Sequence, residues 1–405
     1  MKKIEEYAEQ ISRCSHCSYC QASCPVFMED IVESVLPRNR IEVILRSVID
    51  KSMPLSPRAL EIIDRCLLCT NCTQGCSSQV PIDDIVIAAR SAISMQTGGL
   101  SGVKNLVMGK MLRQRGLTAL MGKAGAMVQK VGIATKDMPP LAAKTFDKFY
   151  SGTVKAEGET RGRVAYFVGC GTNFMYPDTG VATVNVLSRN GIEVIIPEGQ
   201  VCCGIPSIAE GDFKSAREMI EVNVSIFSDL EVDAIVTDCT SCGMMFKEKF
   251  TKVLETADPL QEKISNLTSR VWEVTDFLNH LGLREIPGPM DSSFTYHVPC
   301  HRAWSPTVRH APRQILTQIP GAEFRELENP ERCCGAAGAF YMAHRELSEG
   351  IRAHRVQDIK DNGADLVVTQ CPVCRFYIGS ALKEQGTEIV HPMIMLARAY
   401  GFNGC

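Results

Sequence analysis

Ten cysteines in the C-terminal part of the chain fall into two sets that repeat in step, and this duplication constrains the fold more than any other feature. VAYFVGC, ending at Cys170, is matched by FTYHVPC, ending at Cys300. Cys202-Cys203-Gly204 is matched by Cys333-Cys334-Gly335, and DAIVTDCTSC ending at Cys242 by DLVVTQCPVC ending at Cys374. The offsets stay between 130 and 132 residues, so both copies must adopt one fold. Within a copy, short apolar runs alternate with amphipathic stretches. VAYFVG, IEVIIP and DAIVTD read as buried parallel strands. Thr179 to Arg189, ended by Asn190-Gly191, and Phe213 to Leu230 read as helices. The second copy repeats this order, with helices expected at 308–318 and 346–361. Such alternation predicts a parallel sheet with helices on its faces. The first cysteine and the CxxC of each copy then fall just after strands, at the edge where open α/β sheets place their ligands.

The N-terminal cysteines have a tighter rhythm. Cys14-x-x-Cys17-x-x-Cys20-x-x-x-Cys24-Pro25 recurs as Cys66-x-x-Cys69-x-x-Cys72-x-x-x-Cys76, with Ser77 in place of the proline. This is the bacterial ferredoxin run, in which three cysteines hold one cubane and the fourth crosses to the other. It predicts one [4Fe–4S] cubane on Cys14, Cys17, Cys20 and Cys76, and a second on Cys66, Cys69, Cys72 and Cys24. Structural zinc also uses CxxC pairs, but it gives no reason for the third step or the trailing cysteine.

The duplicated region spaces its cysteines as C–x(31 or 32)–CCG–x(34 or 35)–CxxC. The sets are Cys170, Cys202, Cys203, Cys239, Cys242 and Cys300, Cys333, Cys334, Cys371, Cys374. Five donors exceed what a cubane of four irons requires. An adjacent cysteine pair is too close for an ordinary disulfide, yet it can reach two irons of one cluster. The glycine after it permits a turn at positive φ, and a CxxC at a helix start puts thiolates near the positive end of the dipole. Of 19 cysteines, Cys405 alone is left over, as an unremarkable free thiol.

These spacings predict an α-helical, two-cluster ferredoxin-like domain over 1–95 and a helical linker over 96–160. Two α/β CCG modules with parallel sheets follow, over 161–290 and 291–405. The basic stretch Lys104 to Lys130 is either a docking helix for a partner or membrane, or a solvated cover for the cluster domain. A formal charge of −3 argues against bulk attraction to nucleic acid or an anionic membrane. No secretory signal and no apolar run of membrane-spanning length is visible. So many cysteines without export read as metal or redox chemistry in the reducing cytoplasm, at the inner face of a membrane if a partner subunit brings it there. No GxGxxG opens a helix after a strand and no P-loop occurs, so neither flavin nor NAD is expected on this chain. The histidines at 16, 280, 297, 310, 344, 354 and 391 lack ligand spacing and read as surface or helix residues.

Two ferredoxin-type motifs followed by two CCG copies resemble the heterodisulfide reductase D-like proteins and, equally, the glycolate oxidase iron–sulfur subunit. The likeness covers nearly the whole chain. It implies a helical ferredoxin-like head, one or two non-cubane [4Fe–4S] clusters in the CCG part, and electron transfer with partner subunits. A membrane b-type cytochrome would accompany a disulfide reductase, and a flavoprotein would accompany a glycolate or lactate dehydrogenase relay. Disulfide-reducing members keep all five cysteines per copy, as this chain does, whereas MPPLAAKTF at 138–146 looks like the glycolate and lactate group. The resemblance also implies His301, directly after Cys300, as proton donor to a released thiol; the plainer alternative is packing against the cluster or capping the next helix.

Overall fold

The computed structural model describes residues 2–97, 138–254, 258–383 and 386–402, with a few positions between 111 and 118. Cys405 and nearly all of the basic stretch lie outside the described residues.

The N-terminal head is helical. Three of its helices, Pro25–Asp30, Pro37–Ile44 and Pro57–Asp64, begin on a proline, whose fixed φ and missing N–H suit the first helical position. The longest, Ile82–Gln96, buries one apolar face against Ile4, Tyr7, Ile41 and Ile44. Asp83 and Asp84 stand in its first turn, where carboxylates complement the helix dipole.

Each CCG copy contains its own sheet. The first is five-stranded, in the order β1-β3-β2-β4-β5: β1 Gly152–Val154, β2 Gly162–Phe167, β3 Ile192–Ile196, β4 Ala234–Thr237, β5 Val271–Glu273. The second is four-stranded, in the order β7-β6-β8-β9: β6 Ser292–Tyr296, β7 Ala322–Phe324, β8 Leu366–Val368, β9 Glu388–Val390. All pairs are parallel except β1 with β3. The registers agree: Val164 of β2 lies between Val194 and Ala234, and Phe294 of β6 between Phe324 and Leu366. The duplication read from the cysteines is thus a duplication of topology. The segment expected as a helical linker instead contributes β1 in its described part, which pairs across the edge that β3 would leave open.

Helices lie close to their expected positions: Pro177–Arg189, Phe213–Phe227, Ala311–Leu316 and Arg345–Asn362. Pro177 starts the first of these two residues earlier than expected, again as an N-terminal proline. The copies are not independent lobes. Pro177–Arg189 of the first packs against Pro392–Ala399 of the second, and Ala311–Leu316 of the second against Val274–Leu281 of the first. The exchange is reciprocal, and Val164, Tyr166, Val236, Phe294, Tyr296 and Val368 share one apolar core.

The head docks onto the first copy through a buried cation. Lys249 Nζ lies 2.6 Å from Asp83 and 2.5 Å from Asp84, and all three side chains are buried. Burial pushes the Asp83 carboxyl up, but Lys249 more than offsets this and holds it below the usual range. Among the described residues no helix is long and apolar enough to cross a membrane.

Candidate metal centres

In both N-terminal runs the residues flanking the second cysteine lie at positive φ. His16 (55°) and Ser18 (65°) surround Cys17, and Leu68 (53°) and Thr70 (62°) surround Cys69. Non-glycine residues adopt this conformation only under constraint, and such turns form concavities of backbone N–H groups that hold anions. The Leu68 N–H accordingly donates to Cys66 Sγ at 3.5 Å, and the Val80 N–H to Cys76 Sγ at 3.4 Å.

The runs converge on two cavities. Cys14, Cys17, Cys20 and Cys76 line one together with Cys72, walled by Ile41 and Ile82. Cys24, Cys66, Cys69 and Cys72 line the other. The fourth cysteine of each run therefore sits with the other run's first three. Around the second cavity, Arg90 Nη2 donates to the Cys66 carbonyl at 2.8 Å, and buried Arg40 donates to the Ile62 carbonyl.

The duplicated region places its cysteines by matched devices. Cys239 caps Thr240–Met244 and Cys371 caps Pro372–Leu382 with nearly equal backbone angles, φ −127° and −126°, ψ 117° for both. Gly204 (φ 98°) and Gly335 (87°) make the left-handed turn after each cysteine pair. Within the first copy Cys202 Sγ is 3.9 Å from Cys170 Sγ. Hydrogen bonds from Cys202 and Cys242 draw the Cys203 thiol down to about 6. Within the second, Cys334 and Cys374 are 3.3 Å apart, and Cys374 with its neighbours draws the Cys371 thiol down to about 7. The Gly335 N–H donates to Cys333 Sγ at 3.4 Å.

Both copies open onto one cavity of about 220 Å³. Cys170, Cys203, Cys239 and Cys242 line it from one side, and Cys300, Cys333, Cys334, Cys371 and Cys374 from the other. Cys66 and Cys69 of the head complete the wall. The head and the second copy also meet directly, because Thr70 and Gln74 both donate to the Cys300 carbonyl. Soft sulfur donors gathered in fours and fives, with N–H groups turned to their sulfurs, suit thiolate-held iron–sulfur clusters.

His301 lines the same cavity and caps no helix. Its Nε2 lies 3.0 Å from the Leu68 carbonyl, which can only accept, so Nε2 carries the hydrogen. Nδ1 then accepts from the Ser241 hydroxyl at 2.9 Å. Burial holds the ring below the ordinary histidine range, and the Leu68 carbonyl only partly offsets this. Ser241 carries no sequence signal beyond its place inside CTSC.

Two histidines depart from the sequence expectation. His391 is buried, caps Pro392–Ala399, and bonds the Asp238 carbonyl at 2.8 Å. His297 is 1% exposed at the end of β6, neither at the surface nor in a helix, and burial keeps it neutral. The signal was available: FTYHVPC sets a polar ring where VAYFVGC has Phe167, in a strand that reads as buried.

Residues 10–80 match the 4Fe-4S dicluster domain family, and residues 164–247 and 294–379 each match the cysteine-rich domain family CCG. The chain is 26% identical to a fumarate reductase (CoM/CoB) subunit of Methanothermobacter marburgensis, over 97% of this chain and 73% of that protein. It is 26% identical to "Probable glycolate oxidase iron-sulfur subunit" of Bacillus subtilis, over 99% of this chain and 98% of that one. It is 30% identical to "Lactate utilization protein A" of Bacillus subtilis, over 56% of this chain and 96% of that one. A crystal structure of a hypothetical protein from Helicobacter pylori superposes with TM-score 0.52 at 10% identity, over 90% of this chain and 67% of that one, a likeness of fold alone. The chain belongs to the family of iron–sulfur proteins that join a 4Fe-4S dicluster domain to two cysteine-rich CCG domains, the family of lactate utilization protein A.

Proposed function

We propose that this chain is the iron–sulfur electron-transfer subunit of a heterodisulfide-reductase-D-like complex, with a thiol disulfide reduced at its CCG cavity. The observation that carries the reading is the single cavity walled by cysteines of both copies, which shares Cys66 and Cys69 of its wall with the second head site. On this reading the head over 1–95 holds two cubanes, one on Cys14, Cys17, Cys20 and Cys76 and one on Cys66, Cys69, Cys72 and Cys24. The modules at 161–290 and 291–405 hold non-cubane clusters on Cys170, Cys202, Cys203, Cys239, Cys242 and on Cys300, Cys333, Cys334, Cys371, Cys374. When bound, such clusters supply electrons one at a time.

The chain's own residues supply the rest. The facing cysteine sets leave room for both sulfurs of one disulfide. A disulfide needs two electrons and two protons to become two thiols. His301 keeps its Nε2 hydrogen on the Leu68 carbonyl and meets the Ser241 hydroxyl at Nδ1, and we assign it the protonation of one released thiolate through Nδ1, which takes a proton up from solvent before passing it on; the other thiolate takes its proton from solvent. A flavoprotein or a membrane b-type cytochrome would be the electron partner, and the cytoplasm, at a membrane face through that partner, would be the compartment.

The second reading is the electron relay of a flavin-dependent 2-hydroxyacid dehydrogenase. The glycolate oxidase subunit matched along almost the full length of both chains favours it. One assay separates the two. The iron-loaded subunit is given reduced viologen anaerobically, with and without a mixed disulfide of two small thiols. The first reading expects disulfide-dependent viologen oxidation, lost in His301→Ala and Cys334→Ser. No turnover with all clusters present and reducible selects the relay.

A further inference from the structure

The two CxxC motifs of the body differ at their third position, Ser241 in CTSC against Val373 in CPVC. The residue after the first cysteine of each copy differs as well, Gly171 against His301. These differences meet across the module boundary. The Thr240 N–H donates to the Gln370 carbonyl at 3.3 Å, which lays the two motifs side by side, and Ser241, Cys371 and His301 all line the shared cavity. The Ser241 hydroxyl meets His301 Nδ1 at 2.9 Å and is also hydrogen-bonded to the Cys371 sulfur of the other copy. At the matched positions Gly171 has no ring and Val373 no hydroxyl, so Val373 can offer Cys239 nothing of the kind. A hydroxyl has one hydrogen, and this one stands between two acceptors, a neutral ring nitrogen and a thiolate sulfur.

We propose that Ser241 of the first copy tunes the centre of the second: its hydrogen lies on His301 Nδ1 while that centre is oxidised, and turns to Cys371 Sγ when an electron from the head arrives. This rests on the reading of the second copy as a cluster site. An added electron puts negative charge on the sulfurs, and a hydrogen bond to a charged acceptor is about twice as strong as a neutral one. The ring nitrogen gains no such charge and loses the competition. Hydrogen bonds to the sulfurs help to set a cluster's reduction potential, so the second centre is the more readily reduced of the two. Acting through Cys371, Ser241 is a positioning residue, and the ten cysteines remain the ligands.

The test uses the full chain, iron-loaded anaerobically, and follows the potentials of its centres by electron paramagnetic resonance at one fixed pH. The second centre's signal is identified as the one that Cys374→Ser alters. In the wild type it should be reduced before the first. Ser241→Ala should lower its potential by about 59 mV, a tenfold loss in the reduction equilibrium for one electron, with the head signals unmoved. Ser241→Thr, which keeps the hydroxyl, should hold the wild-type value, whereas Ser241→Val should not. His301→Ala leaves the sulfur as the sole acceptor and should move the potential upward. A potential unmoved by Ser241→Ala and Ser241→Val, or lowered by His301→Ala as much as by Ser241→Ala, overturns the proposal and leaves the cluster reading standing. Iron and sulfide sufficient only for the head overturn the cluster reading and this proposal together. If the Ser241 variants lose their clusters, the wild type decides alone, and a second centre reduced no earlier than the first overturns the proposal.

Discussion

Gly204 and Gly335 follow the paired cysteines at φ of 98° and 87°, and the space beside them differs. A Cβ on Gly335 would stand 2.7 Å from the Ser348 carbonyl oxygen, a backbone atom that cannot swing aside. On Gly204 the nearest atom is the Met245 methyl at 3.3 Å, the end of a flexible side chain. Left-handed backbone costs either alanine about 1–2 kcal/mol, and the clash adds to this only at 335. Gly335→Ala should therefore lower the thermal midpoint more than Gly204→Ala and lose iron from its module; equal losses would refute the steric argument. The positive φ of these glycines was readable from the CCG pattern. That of His16, Ser18, Leu68 and Thr70 was not, since nothing in those side chains asks for it and the turn is imposed by the cysteines around it. His297 differs: a lone histidine without ligand spacing draws no notice, although its place in the repeat of VAYFVGC sets it in a buried strand.

Among the elements, the junction of β5 with helix Val274–Leu281 is where pH should tell. Glu273 caps that helix, accepting from the Thr275 and Asp276 N–H groups. Burial raises its carboxyl to about 8, with the Thr275 hydrogen bonds only partly opposing. A raised carboxyl contributes stability that is complete below its ordinary value and lost as pH rises through the folded value. Glu273→Gln, which resembles the protonated acid, should match the wild type near about pH 5 and melt several degrees higher near about pH 9. Parallel melting curves across that range would place the proton elsewhere. The sequence located β2, β3, β4 and their repeats because each is an apolar run tied to a cysteine block. It missed β1, β5 and β9, three residues each, whose strand character comes from a neighbouring strand.

Across the whole molecule, one buried lysine ties the head to the body. Removing one member of a buried charge cluster leaves the others unpaired, at a cost of about 3–5 kcal/mol. Lys249→Met should cost that much, whereas Lys252→Met, 44% exposed at the same Asp84, should cost under about 1 kcal/mol. Thermal or urea melts of the two variants check this, and equal effects would mean the head is held by apolar contact instead. The separation into helical head and duplicated body was legible from cysteine spacing. The docking was not, because Lys249 lies more than 160 residues from its partners. The reciprocal helix packing between the modules has a further consequence. Two copies joined this way resemble the halves of a symmetric dimer, in which any change to one half is repeated in the other. Carried on one polypeptide, each half is free to change alone. Phe167 against His297 and Asp238 against Gln370 are such one-sided changes. Covalent continuity is what lets a twofold scaffold do an unsymmetrical job.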